Sequence, residues 1–432
     1  METHPIRRQG VMEKLRGAMS LFTPALLVFM VGMILANIAG SMNGSLMPLY
    51  VQSLGADTEQ IGLFFTVSAI APLVLQILGG FVSDSIGRLK AVAIGSIAGS
   101  IGYVLYAVAP SWSWLLMGHA VASLAGCFVA PSFQAFIAEQ STEKTRARVF
   151  AVSESAFAVV GIVGPPIGGI LSQRYGFRLM FVAAGALYLV ATAIRMAMAL
   201  GSRNQSSSAY HAPQKMTLAA LRSNMGAMAA LVLSGGVMTW LFLSDSVNDV
   251  AFSIANHFDP IYQSNIIGMS NIQITWVISA FSIVRMIALP FGGVFADKAG
   301  ERAGICLGHL LCGLGGALFL LGTGYSHFVL VSALYGLGVA LLSPAYNSLV
   351  SKEVPIGIRG TAFGLVSTTL GIASLPAPYI GGLMWAKFGP KAPFVLPLLA
   401  SLSMAAILWF KLPGRHDKAE QTAEAQASPS QL

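Results

Sequence analysis

The sequence predicts an all-α integral membrane protein with twelve transmembrane helices in two six-helix pseudo-repeats. Three observations predict it. Of 432 residues 55% are apolar and 10% charged, against about a quarter charged in soluble domains; mean hydropathy is +0.72. Apolar runs of roughly 20 residues, enough to cross a bilayer, recur along the whole chain. A charged, glycine-bounded stretch, Gly80-Phe-Val-Ser-Asp84-Ser-Ile-Gly87-Arg88-Leu-Lys90, returns as Gly293-Val-Phe-Ala-Asp297-Lys298-Ala-Gly300-Glu-Arg302, with Gly80/Gly293, Asp84/Asp297 and Gly87/Gly300 each 213 positions apart.

Taken in order, residues 1–20 are a short basic N-terminus (Arg7, Arg8, Lys14, Arg16), and the first span is about 21–50, too long for a cleaved leader. Spans two to six fall at about 58–82, 91–109, 113–138, 148–171 and 178–199, completing a bundle over 21–199. Residues 200–224 are polar and Ser-rich and form a linker. Spans seven to twelve lie within 226–258, 271–294, 303–322, 328–350, 361–385 and 393–412, a second bundle over 225–412. Residues 413–432 form a polar, disordered tail.

Basic residues orient the spans. With both termini cytoplasmic, 20 of the 25 Lys and Arg fall inside, counting Arg195 at the end of span six; Arg174, Arg178, Lys387 and Lys391 fall outside, and Arg285 alone lies within a span. The same distribution accounts for the net charge of +8 without a nucleic-acid partner, because the basic residues ring one membrane face. Cys127, Cys306 and Cys312 lie in apolar runs and read as packing residues. With no G-x-x-x-x-G-K-[ST], no H-E-x-x-H and no G-x-S-x-G, no ATP-driven pump, enzyme, metal site or cofactor is expected.

The repeat runs well beyond the opening stretch. Pro131/Pro344, Arg146/Arg359, Phe150/Phe363 and Gly168-Gly169/Gly381-Gly382 share the 213 offset, whereas in span seven Pro260 and Tyr262 match Pro48 and Tyr50 at 212, and Leu221-Arg222 matches Leu15-Arg16 at 206. Span seven therefore carries about six extra residues, which leaves the depth of its polar groups open.

The duplicated stretch resembles the G-x-x-x-D-R/K-x-G-R/K-R/K signature of the major facilitator superfamily, between helices 2 and 3 and again between 8 and 9. Ser85 stands where a basic residue is common, and Glu301 stands where Arg88 sits in the first copy. The resemblance implies a transporter with a substrate site near the midplane and rocking halves. It implies gating roles for Gly80, Asp84, Gly87, Arg88, Lys90, Gly293, Asp297, Gly300 and Arg302. Asp84 would brace the segment from Arg359 to Thr361, and Asp297 the start of span five near Arg146 and Arg148. Gly161-Ile-Val-Gly164-Pro165-Pro166-Ile-Gly168-Gly169 resembles the span-five signature of the family's drug:proton antiporters, which implies export.

Candidate transport residues are the polar groups inside spans. Asp245 and Asp249, four apart, share one helix face and can trade a proton for a cationic substrate, unless this polar half of span seven lies at the outer surface. Glu154 is a proton site or a partner for Arg146 or Arg148. Arg285 needs a carboxylate or an anionic substrate group. The antiporters' span-four Arg is missing; His119 is its proton-linked substitute or an interfacial residue. Asn37 is a substrate contact or a packing polar group, and His309 and His257 read as structural. The expected function is proton-coupled efflux of a small amphipathic or drug-like compound by a multi-pass plasma-membrane monomer. Alternatives in the same fold are uptake or facilitated transport of a small metabolite, or lipid flipping.

Overall fold

A computed structural model describes residues 23–201, 234–354 and 370–414, with only the backbone described at 76–85, 143, 144 and 147. Its elements are α1 (Pro24–Gly44), α2 (Met47–Ser53), α3 (Thr58–Ile86), α4 (Arg88–Ala107), α5 (Trp112–Gln140), α6 (Glu143–Gly201), α7 (Val237–Asn256), α8 (Asp259–Asn265), α9 (Asn271–Ala299), α10 (Glu301–Leu321), α11 (Tyr325–Glu353), α12 (Ala377–Phe388) and α13 (Ala392–Lys411). Among the described residues nine helices are long and apolar enough to cross a membrane; one of these stretches, Arg148–Gly201, contains a break at Gly176 and so two crossings.

Local chemistry sets the breaks. Thr23 caps α1, its hydroxyl accepting from the Leu26 N–H at 3.2 Å, with Pro24 at the first helical position. The expected single span over 21–50 is divided instead. It turns at Ser45–Leu46 before α2, because Pro48 offers no N–H to continue the ladder. Pro260 repeats the break between α7 and α8. The loop expected between spans five and six shrinks to one residue, Gly176, at φ 84° and ψ 165°.

That conformation recurs. Gly87 (93°, 148°), Gly300 (92°, 155°) and Gly389 (93°, 172°) share it, in a region essentially restricted to glycine. Gly55 and Gly268 also have positive φ, at 90° and 79°. The pairs 55/268, 87/300 and 176/389 are each 213 apart, so the duplication extends beyond the Gly87/Gly300 turn to two pairs that the sequence alone did not single out.

The chain divides into two compact units, Met1–Tyr50 with Ser68–His211, and Val51–Val67 with Ala212–Leu432. In the first unit α1 packs along α6 and α4 against α5. Gly164 and Gly168 make this possible. A Cβ on Gly164 would strike the Ser41 hydroxyl, and one on Gly168 would strike the Met42 carbonyl. Leu26, Phe29, Met30 and Met33 of α1 fill a core with Val92, Val129, Phe133 and Phe136. In the second unit α7 packs against α12 and α13, α9 against α11, and α10 against α11 and α13. Gly381 meets the Ile254 carbonyl as Gly168 meets that of Met42, which fixes the α7 register at 212. The first turns of α3 belong to this unit: Gly62 lies against the Pro378 carbonyl, Gly382 against the Thr58 carbonyl at 2.6 Å from its virtual Cβ, and Phe65 stacks on His257 at 3.8 Å.

Candidate transport site

The polar face of α7 lies in mid-helix. Asp245 and Asp249 follow Val237 by 8 and 12 residues, about 12 and 18 Å along an axis of about 30 Å. Four described segments of the unit send polar groups to it. The Tyr346 hydroxyl of α11 donates to Asp245 Oδ2 at 3.2 Å. Ser374, in the turn before α12, donates to Asp249 Oδ2. Ser401 of α13 donates to Asn248 Oδ1 at 3.2 Å, and Asn248 Nδ2 returns a bond to the Ser244 carbonyl at 3.0 Å. His309 of α10 bonds Ser244 Oγ at 3.2 Å.

Both carboxylates are half-buried and accept from neutral hydroxyls, and neither forms an ion pair among the described residues. Negative charge at such depth calls for a counter-charge, and a proton or a cationic ligand supplies it. The turn at residues 374–376 places Ser374 for its bond: Pro376 and Pro378 interrupt the helix there, and the Ala377 N–H closes the turn on the Ser374 carbonyl at 3.0 Å.

The other predicted residues scatter. Asn37 is exposed on α1 and donates to the Met33 carbonyl at 2.8 Å. Glu154 is exposed on α6, next to Ser153, which is buried against Met30. His119 is half-buried and bonds the Tyr106 hydroxyl at 3.2 Å. Arg285 is exposed on α9 and forms no ion pair among the described residues, so the carboxylate partner expected for it is not found.

At the duplicated turn Gly87 and Gly300 take the same backbone, and the departure at Glu301 has a structural counterpart. Arg88 Nε meets Glu139 Oε1 at 3.2 Å, and Glu301 pairs with Lys352, with Ser348 adding a bond at 3.1 Å. Residues 88 and 301, and 139 and 352, are each 213 apart. The two halves thus hold one ion pair with its polarity reversed. Arg302 reaches the Leu412 carbonyl at 3.4 Å and lies over the Trp409 ring at 4.9 Å; Arg146 reaches the Ala138 carbonyl at 3.3 Å. Both meet carbonyls at or near helix C-termini, where a cation is favoured. Gly80 lies within α3; Lys90, Gly293 and Asp297 sit on the surface or half-buried. The Asp84 side chain and all of Arg359 fall outside the described residues. In the span-five motif Gly164, Pro165, Gly168 and Gly169 are buried and Gly161 is half-buried.

Sequence reasoning misplaced Arg195. Expected at the cytoplasmic end of span six, it is 1% exposed and the largest fully buried side chain among the described residues. Without it the basic residues expected on the cytoplasmic side number nineteen, against four expected on the other.

Comparison with known proteins agrees with this architecture. The profile of the Major Facilitator Superfamily matches residues 29–270 and 241–432. The chain is 22% identical over 379 residues to the quinolone resistance protein NorA of Staphylococcus aureus, covering 87% of this chain and 93% of that one. It is 24% identical over 381 residues to the uncharacterized MFS-type transporter MJ1317 of Methanocaldococcus jannaschii, covering 87% and 92%. Among solved structures it resembles a D-xylose-proton symporter, with TM-score 0.68 and 14% identity over 90% of this chain and 97% of that one. It also resembles a peptide transporter POT in complex with sulfate, with TM-score 0.68 and 15% identity over 89% and 93%.

Proposed function

Because this chain belongs to the Major Facilitator Superfamily, we propose that it is a proton-coupled exporter of a small amphipathic or drug-like compound, working by alternating access. The carrying observation is the α7 network. Two carboxylates at mid-helix depth, with no cation of their own, hold a proton in one state and release it for a cationic group in another. Tyr346 and Ser374 suit that exchange because each hydroxyl donates to a carboxylate and accepts from a carboxylic acid. The glycine-rich α1–α6 contact and the likeness to NorA, a quinolone resistance protein, support export over uptake. In this reading the protein sits in the plasma membrane with both termini cytoplasmic, works as a monomer, and uses neither ATP nor a cofactor.

Cells expressing the chain and loaded with a lipophilic cationic dye test the direction. The reading expects lower steady-state dye than in cells carrying the Asp249→Asn variant, and equal levels once a protonophore is added. Higher accumulation in the wild type would reverse the direction. Equal accumulation for every dye, cationic and neutral, would end the efflux reading.

A further inference from the structure

Arg195 is a cation sealed inside the first unit with no anion beside it among the described residues. Its stem lies over Gly32, whose missing side chain makes the space; a Cβ there would sit 3.4 Å from Arg195 Cγ. The guanidinium Nη1 donates to Ser96 Oγ at 2.8 Å and Nη2 to Met33 Sδ at 3.0 Å, the group lies 5.9 Å from the Tyr188 ring centroid, and the Tyr188 hydroxyl is within its reach as a neutral acceptor. Nε is buried with no partner among the described residues. An arginine near the end of a membrane helix ordinarily extends its head toward water. This one reaches the other way: Ser96 is eight residues, about 12 Å, into α4, and Met33 nine residues, about 14 Å, into α1.

These partners are poor ones. A thioether sulfur is a weak acceptor, the Ser96 and Tyr188 hydroxyls are neutral, and the Nε–H has no partner among the described residues. A carboxylate offers two oxygens to the guanidinium fork and makes charge-assisted bonds. The repeat sharpens the point. At the 212 offset the second unit places Asp245 where the first has Met33. The half with the buried cation thus carries, at the equivalent position, a flexible side chain that can swing aside. Met33 lies one turn from exposed Asn37 on α1, so an opening at Met33 leads from the guanidinium toward a surface the helix already presents.

We infer that Arg195 is an anion-binding site capped by Met33, and that it receives a carboxylate carried on an apolar body. The cargo role of that ligand rests on the transport reading above; the binding site does not. The substrate class then includes amphiphiles bearing an acidic group, beside the lipophilic cations read at α7.

The test is equilibrium binding of 2-naphthoate, 2-naphthylmethanol and 2-naphthylmethylammonium to the purified full chain in detergent, read by naphthyl fluorescence. Wild type should bind the carboxylate about tenfold to a hundredfold more tightly than the alcohol, the range of a charge-assisted bond. Arg195→Gln should erase that preference and leave the alcohol unchanged. Met33→Glu should erase it too, because the new carboxylate occupies the guanidinium; this variant should fold even where Arg195→Gln does not. Absence of a carboxylate preference in wild type, or its survival in Met33→Glu, overturns the inference. Chloride that displaces naphthoate at equal concentration overturns the assignment to a substrate group and leaves a free-anion site. Arg195-dependent naphthoate binding without dye export would end the efflux reading alone; export without that binding would end this inference alone.

Discussion

Gly168→Ala should destabilise the protein although alanine is the better helix former. A Cβ at Gly168 would overlap the Met42 carbonyl, with the carbonyl carbon at 2.7 Å and Met42 Cα at 2.9 Å. These are backbone atoms, so no rotamer change relieves the clash, and α1 must retreat from α6 by on the order of 1 Å, loosening a close-packed contact. That retreat also loosens the Gly164–Ser41 contact one turn away. Overpacking of this kind costs about 3 kcal/mol at its upper range, and the propensity gain returns about 1 kcal/mol. The net loss of about 2 kcal/mol corresponds to a fall in Tm of about 2 °C for a chain of 432 residues. Gly126→Ala supplies the opposite sign. Gly126 lies in mid-α5 with nothing within 4 Å of the added carbon, so only the propensity term acts and Tm should rise by about 1 °C. Thermal unfolding of the purified protein in detergent, followed by tryptophan fluorescence, reads both. A Tm for Gly168→Ala at or above wild type would refute the claim that glycines set the α1–α6 distance.

Three further outcomes follow from the duplicated turns and contacts. Arg88→Glu should lower Tm by repelling Glu139, and Arg88→Glu with Glu139→Lys should restore it, because the second half already holds that arrangement as Glu301 and Lys352; with Glu139 half-exposed the swing is about 1 kcal/mol, and a double variant no better than the single one would contradict it. Gly300→Ala should cost about 1–3 kcal/mol, since φ 92° and ψ 155° exclude a Cβ, and the same loss at Gly87 by denaturant titration would establish the two turns as equivalent. Gly381→Ala should mirror Gly168→Ala, because its Cβ meets the Ile254 carbonyl; a neutral result would separate the two halves.

Much of the fold was legible because a bilayer imposes length and polarity on every span, and because the repeat could be counted. Pro131/Pro344 and Gly168/Gly381 marked it in the sequence, and the turn glycines Gly55/Gly268 and Gly176/Gly389 extend it in three dimensions. The positions of Asp245 and Asp249 were legible as a shared face, but their depth was not, since span seven carries extra residues ahead of Val237. Their donors were hidden for a different reason. Tyr346 and Ser374 look unremarkable alone and stand out only beside their counterparts, Phe133 and Gly161, at the same offset. Setting Met33 against Asp245 and Phe133 against Tyr346 would have shown an apolar pair replaced by a hydrogen-bonded one. Arg195 was misread because its number in the chain suggests the water interface, while its side chain runs back into the bundle. Glu301 looked like a defect in the motif until its partner, Lys352, proved to be reversed along with it.

Proton exchange at α7 is the centre of the account, and liposomes test it most directly. Purified protein is reconstituted with an imposed proton gradient, and internal pH is followed as amphipathic compounds bearing cationic, neutral and acidic groups are added to wild type, Asp245→Asn and Asp249→Asn. Compound-dependent proton flux is expected in wild type and is lost in at least one of the two variants. Flux that persists unchanged in both would move the coupling site away from α7, toward Glu154 or His119, and contradict the claim made here.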